Sequence, residues 1–526
     1  MKKDHFKPLL VIAGGVLFNI IFWKEKIAVN AVLFDVFLLL AVYKLYPVVY
    51  SRPLMKWLLP AHAISMVALL WHNTLLSGIA FCSSLLVLLI FTQYEHRSVW
   101  YAAGSAVNNF ALSFLSFFEN LPVPKVKGVH FGKKATKAIR FLILPLLIVI
   151  VFLVIYRTAN AVFNKAIEDG LQQVEVFLTQ LFTWTSWERL AFLLLGLFIT
   201  AGLLLKTKGY FSAKDLSATD TLLRRKHNLP AWKESLSADL LHLFMGRFSS
   251  GTMALKNEQK VGLICLVLLN ALLLMVNLTD IVYVWFGFEY NSSVNLTSYV
   301  HEGAGMLIVS ILLAMLLLLF FFRGNLNFYR NNKALRYAAY AWIIQNGILV
   351  FSVLMRDVYY IRHMGLAYKR IGLFVFLLMV LMGLVSLLVK IKEKKTGYFL
   401  WRVNGWFAML LLIAGSLVNW DEQIATYNLS KKSTIPVDVH FLLSLSDKVL
   451  PIIEKNRAVL NVSIPTGKVY SSSSELQYLP AATIFEQRKQ SFFQRQQRYS
   501  WLSWNLADQQ VKAELQSNMT AHLISK

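Results

Sequence analysis

The feature that most constrains this chain is a succession of long apolar runs parted by polar turns. A helix that crosses a bilayer needs about 20 mostly apolar residues. Eleven runs approach or reach that length: 8–23, 27–43, 57–71, 74–92, 141–156, 189–205, 261–285, 304–322, 337–355, 371–389 and 399–418. A further run, 98–118, is long enough but carries Asn108 and Asn109, and reads as a segment lying along or dipping into the membrane. Composition agrees: 57% of the 526 residues are hydrophobic and only 15% charged, against roughly a quarter in soluble proteins. No water-facing surface can hide that much apolar area. The fold class expected is all-α: a polytopic α-helical integral membrane protein of about eleven spans, twelve if 98–118 crosses, with a small C-terminal helical domain.

The net charge of +25 would suit nucleic acid, but no arginine–aromatic platform or zinc-finger spacing accompanies it. Lys and Arg gather instead in linkers, as they do on the cytoplasmic side of membrane proteins. The linker 119–140 sets Lys125, Lys127, Lys133, Lys134, Lys137 and Arg140 against Glu119 alone; "LLRRKH" in 206–260 and "KIKEKK" at 390–395 repeat the pattern. Even numbers of spans separate these linkers, so all three fit one side, with "MKKDHFK" beside them and the tail opposite. The N-terminal run lacks a small-x-small cleavage site and reads as a retained span. Cys82 and Cys265 lie inside apolar runs and read as small hydrophobes, not as a disulfide framework or metal set. The expected blocks are 1–92 (four spans), 93–140 (basic linker), 141–205 (two spans), 206–260 (basic linker), 261–420 (five spans) and 421–526 (a polar helical tail, with Asp438 as an N-cap). In that tail "YSWLSW" reads as core.

Between the spans 337–355 and 371–389 the stretch "RDVYYIRHMGLAYKR" faces outward in this topology, against the positive-inside preference. Its Arg356, Arg362, His363, Lys369 and Arg370, with His301 from the preceding outer segment, are the candidate ligand-binding residues. Arginine's planar fork suits phosphate and carboxylate. Asp280, Glu302, Asp357, Tyr360, Asp421, Tyr427 and Asn428 form a candidate polar network around them, and the alternative is that these acids simply pair with the arginines. Asp35, inside the second span, is either a proton or cation relay or a carboxylate bonded to a neighbouring helix. Asn270, Asn277 and Asp280 share one helical face and either line a cavity or glue helices. "HEGAG" at 301–305 opens like a zinc-protease motif, but Gly305 stands where the second histidine belongs. No catalytic motif, metal set or cofactor is implied.

The succession "YVHEGAGMLIVSILLAMLLLLFFFRGNLNFY", "WIIQNGILV", "RDVYYIRHMGLAYKRIG", "RVNGW" and "NWDEQIATYNL" resembles a family of bacterial multi-pass membrane proteins known only as a domain of unknown function, of the 4153/4173 type. The resemblance covers about 260–450 and is strongest over Asp421–Asn428. It implies a bacterial inner-membrane protein with a helical tail, and no activity or substrate. Three functions fit: binding or transport of an anionic or lipid-linked molecule at the outward basic cluster, a non-catalytic sensor or scaffold with a protein partner at 421–526, and a membrane transferase. The lipid bilayer is a partner in all three.

Overall fold

A backbone in hydrocarbon must satisfy its N–H and C=O groups within its own segment, so apolar runs of this length fold as helices. The computed structural model describes residues 6–47, 53–120, 161–181, 186–223, 254–286, 296–322, 325–433, 437–466 and 477–524, with isolated turns between 149 and 158. Within these, the side chains at 114–120, 174–181 and 296–304 are among those outside the described set. The described residues are all-α save for one short antiparallel hairpin and an isolated bridge. Among the described residues six helices are long and apolar enough to cross a membrane: Leu75–Gln93, Trp187–Leu204, Lys256–Phe286, Lys333–Met364, Tyr368–Glu393 and Gly397–Ser416. Phe6–Phe22 and Gly305–Phe321 are shorter apolar helices. The expected span 141–156 falls almost wholly outside the described residues.

The chain divides into two units. The first comprises residues 1–216, 413–418 and 490–516. It holds α1 (Phe6–Phe22), α2 (Val29–Leu45), α3 (Met55–His72), α4 (Leu75–Gln93), α5 (Val99–Asn120), α6 (Ala161–Leu181), α7 (Trp187–Leu204) and α8 (Tyr210–Ser217). Small residues let α1 and α7 approach closely: a Cβ on Gly15 would stand 2.5 Å from Leu197 Cδ2, and one on Gly14 2.4 Å from Thr200 Cγ2. Phe34, Leu38, Leu69, Phe81, Leu89 and Leu204 form the core. One end gathers the α1–α2 turn, the α3–α4 turn and the C-terminal segment. There Asn73 Nδ2 donates to Ile27 O at 2.7 Å, His72 Nε2 to Leu417 O at 2.9 Å, and Lys26 Nζ reaches Asp508 Oδ2 at 2.6 Å. At the opposite end Tyr46 Oη donates to Leu204 O at 3.2 Å and Gln93 Nε2 to Leu203 O at 2.5 Å. Asn108 and Asn109 pin α5 there by bonds to Thr207 and Gln93. The tryptophans of "YSWLSW" are not core: Trp501 and Trp504 are exposed, while Ser503 between them is buried and bonds Lys26 N–H at 2.7 Å.

The second unit comprises 217–412, 419–489 and 517–526. Its elements are α9 (Ala254–Asp280, continuing as a π-helical turn Ile281–Phe286), α10 (Leu296–Phe321), α11 (Lys333–Met364), α12 (Tyr368–Glu393), α13 (Gly397–Ser416), α14 (Trp420–Ser430), α15 (Val439–Ser444) and α16 (Leu450–Lys455). The strands β1 (Ser463–Thr466) and β2 (Gln477–Pro480) follow, then α17 (Ala481–Arg498) and α18 (Leu506–Ile524), parts of which belong to the first unit. The polar stripe of α9 glues it to α11: Asn270 Nδ2 donates to Ala338 O at 3.0 Å, Asn277 Nδ2 to Gln345 O at 3.1 Å, and Gln345 Nε2 to Asn270 Oδ1 at 2.8 Å. Since 270 meets 338 and 277 meets 345, the two helices run parallel, and α10, which lies between them in the chain, makes the return. One end of the unit carries the turns before α11 and after α12, where Lys390 Nζ donates to Phe322 O at 2.7 Å and Arg402 pairs with Asp220 at 2.9 Å. Asp438 caps α15, accepting from Phe441 N–H at 2.9 Å.

Candidate functional site

Helix α11 does not stop where its apolar run stops. It continues through Arg356, Asp357, Tyr360, Arg362 and His363 to Met364, and α12 starts at Tyr368. The expected loop 356–370 is therefore only Gly365–Leu366–Ala367. Hydropathy marks where apolar surroundings end, and "RDVYYIRHM" holds no Gly or Pro to break a helix. Gly365 breaks it, with φ at +80°. A Cβ there would also stand 2.6 Å from Asn428 Oδ1, so backbone and neighbour alike require glycine.

That neighbour is the key to the turn. Asn428 Oδ1 accepts from Leu366 N–H at 2.6 Å, and its Nδ2 donates to Leu366 C=O at 2.9 Å. Two turns earlier on α14, buried Asp421 accepts from Tyr368 Oη at 2.5 Å. Seven residues apart, Asp421 and Asn428 share one helical face, and Ile424 and Ala425 between them are fully buried. The segment Asp421–Asn428 is thus a clasp closed on the α11–α12 turn. Half-buried Tyr427 supplies a carbonyl that accepts from Lys431 N–H at 3.3 Å at the end of the same helix.

The charges of the cluster separate into two groups. Buried Arg356 lies with Nη2 2.6 Å from Asp280 Oδ1, tying α11 to the end of α9. Asp357 is 2% exposed; its Oδ2 makes no hydrogen bond among the described residues, and the Arg370 guanidinium is its charged neighbour. Arg370 donates to the carbonyls of Met364, at 3.0 Å, and Gly365, and lies 4.2 Å over the buried Tyr360 ring. It closes the C-terminus of α11, where a cation is favoured. His363 Nδ1 donates to Tyr359 C=O at 2.8 Å. Arg362 and Lys369 are exposed, and no described residue pairs with either. His301 and Glu302 fall on the first turns of α10, where side chains lie outside the described set.

Asp35 is not alone in its span. Its Oδ2 lies 3.0 Å from His62 Nε2; His62 Nδ1 lies 2.8 Å from Ser84 Oγ, and Ser84 Oγ 2.6 Å from Ser65 Oγ. Exposure is 0% at Asp35 and Ser65, 2% at His62 and 4% at Ser84. The sequence signal was there, a histidine inside the apolar "WLLPAHAISMVALL", but the partnership exists only once α2, α3 and α4 pack. A second such pair was also missed. Buried His96 sets Nδ1 3.0 Å from Asp215 Oδ2 and Nε2 2.9 Å from Ser105 Oγ, while the same Asp215 oxygen accepts from Arg97 N–H at 2.7 Å, just before α5. Just past α2, burial first and neighbouring Tyr94 second push the Tyr46 hydroxyl up to about 12, and burial raises that of Tyr94. Among the described residues no group of three His, Cys, Asp or Glu side chains is arranged to hold a metal ion.

Apolar helices stitched by buried polar pairs and closed by a helical clasp define the class: an all-α protein with, among the described residues, six helices long and apolar enough to cross a membrane. The family model described as Domain of unknown function (DUF4153) matches residues 58–456, more than half of the chain, and the chain belongs to that family. The match runs well past the 260–450 on which the sequence resemblance rests, taking in His62 and Ser84 but beginning after Asp35. No curated protein and no solved structure matches the chain.

Proposed function

We propose that this chain is a multi-pass bacterial inner-membrane protein that binds or carries an anionic, lipid-linked molecule at the turn between α11 and α12. In this reading the N-terminus is cytoplasmic and the tail extracytoplasmic. One observation carries it: of the cluster's cations, Arg356 and Arg370 are committed to internal partners, whereas Arg362 and Lys369 stay exposed with no described partner. Charges that oppose the positive-inside preference hinder insertion, and structural pairing does not account for these two. They stand where a helix pair leaves the apolar region, a height suited to a phosphate or carboxylate head group. Arg362 supplies a fork and Lys369 a point charge.

The test is native mass spectrometry of protein purified in mild detergent, comparing wild type with Arg362→Ala/Lys369→Ala. An anionic species bound to wild type, with occupancy at least about tenfold lower in a double variant of unchanged melting temperature, supports the reading. Equal occupancy in both, or none in wild type, overturns it. A protein partner held by 421–526 then becomes the reading to pursue.

A further inference from the structure

We propose that Asp35, His62 and Ser84 form a proton-binding site in the middle of the first unit, with one exchangeable proton shared by Asp35 and His62 and the Ser84–Ser65 pair reversing its hydrogen bonds to accommodate either state. The site is independent of the anion site above and lies in the other unit.

The location sets the energetics. Asp35 is in the second turn of α2, while His62 and Ser84 are near the middles of α3 and α4. Phe34, Leu38, Phe81 and Leu85 are buried around them, and the Phe81 ring lies 5.4 Å from the His62 ring. A lone carboxylate in such surroundings is costly. Asp35 and His62 together reach zero net charge with one proton added to the carboxylate–neutral imidazole pair, either as carboxylate with imidazolium or as carboxylic acid with imidazole. Release of that proton to solvent water leaves one net negative charge among apolar side chains.

Ionisable neighbours elsewhere on the packed elements lie away from this level. Helix α1 carries only Lys7, at its start; the α1–α2 turn carries Lys24, Glu25 and Lys26; and α2 carries Lys44 in its last turn. Helix α3 adds Lys56 at its start and His72 at its end, α7 adds Glu188 and Arg189 at its start, and α4 offers only Cys82, which is exposed. The turn Trp501–Ser503 that packs on α2 holds no ionisable side chain, and Asp508 beyond it is paired with Lys26. Among the described residues, Asp35 and His62 are therefore the ionisable pair in the middle of this bundle.

The hydroxyls make both states habitable. With the proton bound, His62 Nδ1–H donates to Ser84 Oγ, Ser84 donates to Ser65, and Ser65 donates to His62 C=O at 2.7 Å. With the proton gone, the chain reverses: Ser65 donates to Ser84 and Ser84 to bare Nδ1, while Nε2–H stays on Asp35 Oδ2. No heavy atom needs to move. Asp35 Oδ1 is buried without a hydrogen-bond partner, so a proton can be taken up there without displacing a bond the network makes.

The test uses the full chain in phosphatidylcholine vesicles, with labelled histidine and aspartate, followed by infrared difference spectroscopy between about pH 5 and about pH 9. A carboxyl band and an imidazole signal should change together in one step. Asp35→Asn should abolish both changes, and so should His62→Gln. Ser84→Ala deletes the reversible hydroxyl but neither titrating group, and is small enough to leave the fold intact. It should keep the two signals coupled and move their step by about one pH unit, a tenfold change in proton affinity. A wild type without a coupled carboxyl and imidazole step overturns the proposal, as does a coupled step that survives Asp35→Asn. Should the two charge variants fail to fold, a Ser84→Ala step at the wild-type pH overturns it alone.

Discussion

At the scale of single residues, the pair Asp280–Arg356 is the sharpest case. Both side chains are nearly inaccessible, and each keeps one atom unmet, Asp280 Oδ2 and Arg356 Nε. Removing one partner strands the other's charge, which in buried pairs costs roughly 3–5 kcal/mol, whereas replacing both by apolar residues of like size is close to neutral. Thermal unfolding in detergent should show Asp280→Ala strongly destabilised and Asp280→Leu/Arg356→Met restored to near wild type. An additive double variant would mean that the pair does not act as a pair. Tyr46 gives a pH signature of opposite chemistry. Its hydroxyl, raised from 10 to about 12 by burial, favours the neutral form in the folded state. Stability from this group is therefore full below about pH 10 and is lost as pH rises toward 12. Tyr46→Phe should flatten that decline by about 3 kcal/mol at most, read from melting temperatures across the alkaline range. The polar stripe of Asn270, Asn277 and Asp280 was legible because spacing alone puts it on one helix face. The link from Asp35 to His62 was not, because residues 27 apart reveal nothing of which helices become neighbours.

At the scale of elements, apolar length located most helices and misplaced several of their ends. Helix α11 runs on through "RDVYYIRHM" because helix propensity, not hydropathy, governs where a helix stops, and Gly365 is the first residue that stops it. The same distinction explains α6, Ala161–Leu181: its polar residues excluded it from a search for apolar runs, although it holds no proline and a single glycine, Gly170. The clasp was visible as a motif but not as a mechanism, since Asp421 and Asn428 make sense only against Tyr368 and Leu366. Its prediction is local. Asn428→Ala leaves the N–H and C=O of Leu366 without their partners, a loss of roughly 1–3 kcal/mol. Amide hydrogen exchange at 366–368 should accelerate while α11 below Tyr359 stays protected. Gly365→Ala, strained at φ +80° and pressed against Asn428, should loosen the same turn. Asn428→Ala should relieve the contact part of that strain, so the two changes together should cost less than their sum. Strict additivity would show that the clasp and the glycine act separately.

At the scale of the whole molecule, charge and aromatic placement bear on sidedness. In the first unit, the end with the Tyr46–Leu204 and Gln93–Leu203 bonds holds Lys44, Lys56, Arg97, Lys206, Lys208 and Lys214 against Glu95 and Asp215, while the opposite end balances Lys24, Lys26 and Arg189 with Glu25, Glu188 and Asp508. In the second unit, the end with the Lys390–Phe322 bond carries Lys333, Arg336, Lys392, Lys394, Lys395 and Arg402. Exposed aromatics stand near each end, as in the belts of membrane proteins: Trp57 and Tyr210 against Trp71 and Trp501 in the first unit, and Tyr337 and Trp401 against Tyr283 and Tyr368 in the second. The topology proposed above requires both lysine-rich ends to be cytoplasmic, in line with the positive-inside preference. Cysteine labelling tests this directly, since the native thiols are two, at 82 and 265 within apolar helices, and both can be replaced by alanine. Cysteines at the exposed positions Ser433 and Lys512 should react with a membrane-impermeant maleimide on spheroplasts, while those at Lys208 and Lys392 should react only after permeabilisation. The reverse pattern would move Arg362 and Lys369 to the cytoplasmic side. Their charge would then be ordinary topogenic charge, and the case for an anion held at the α11–α12 turn would lose its foundation.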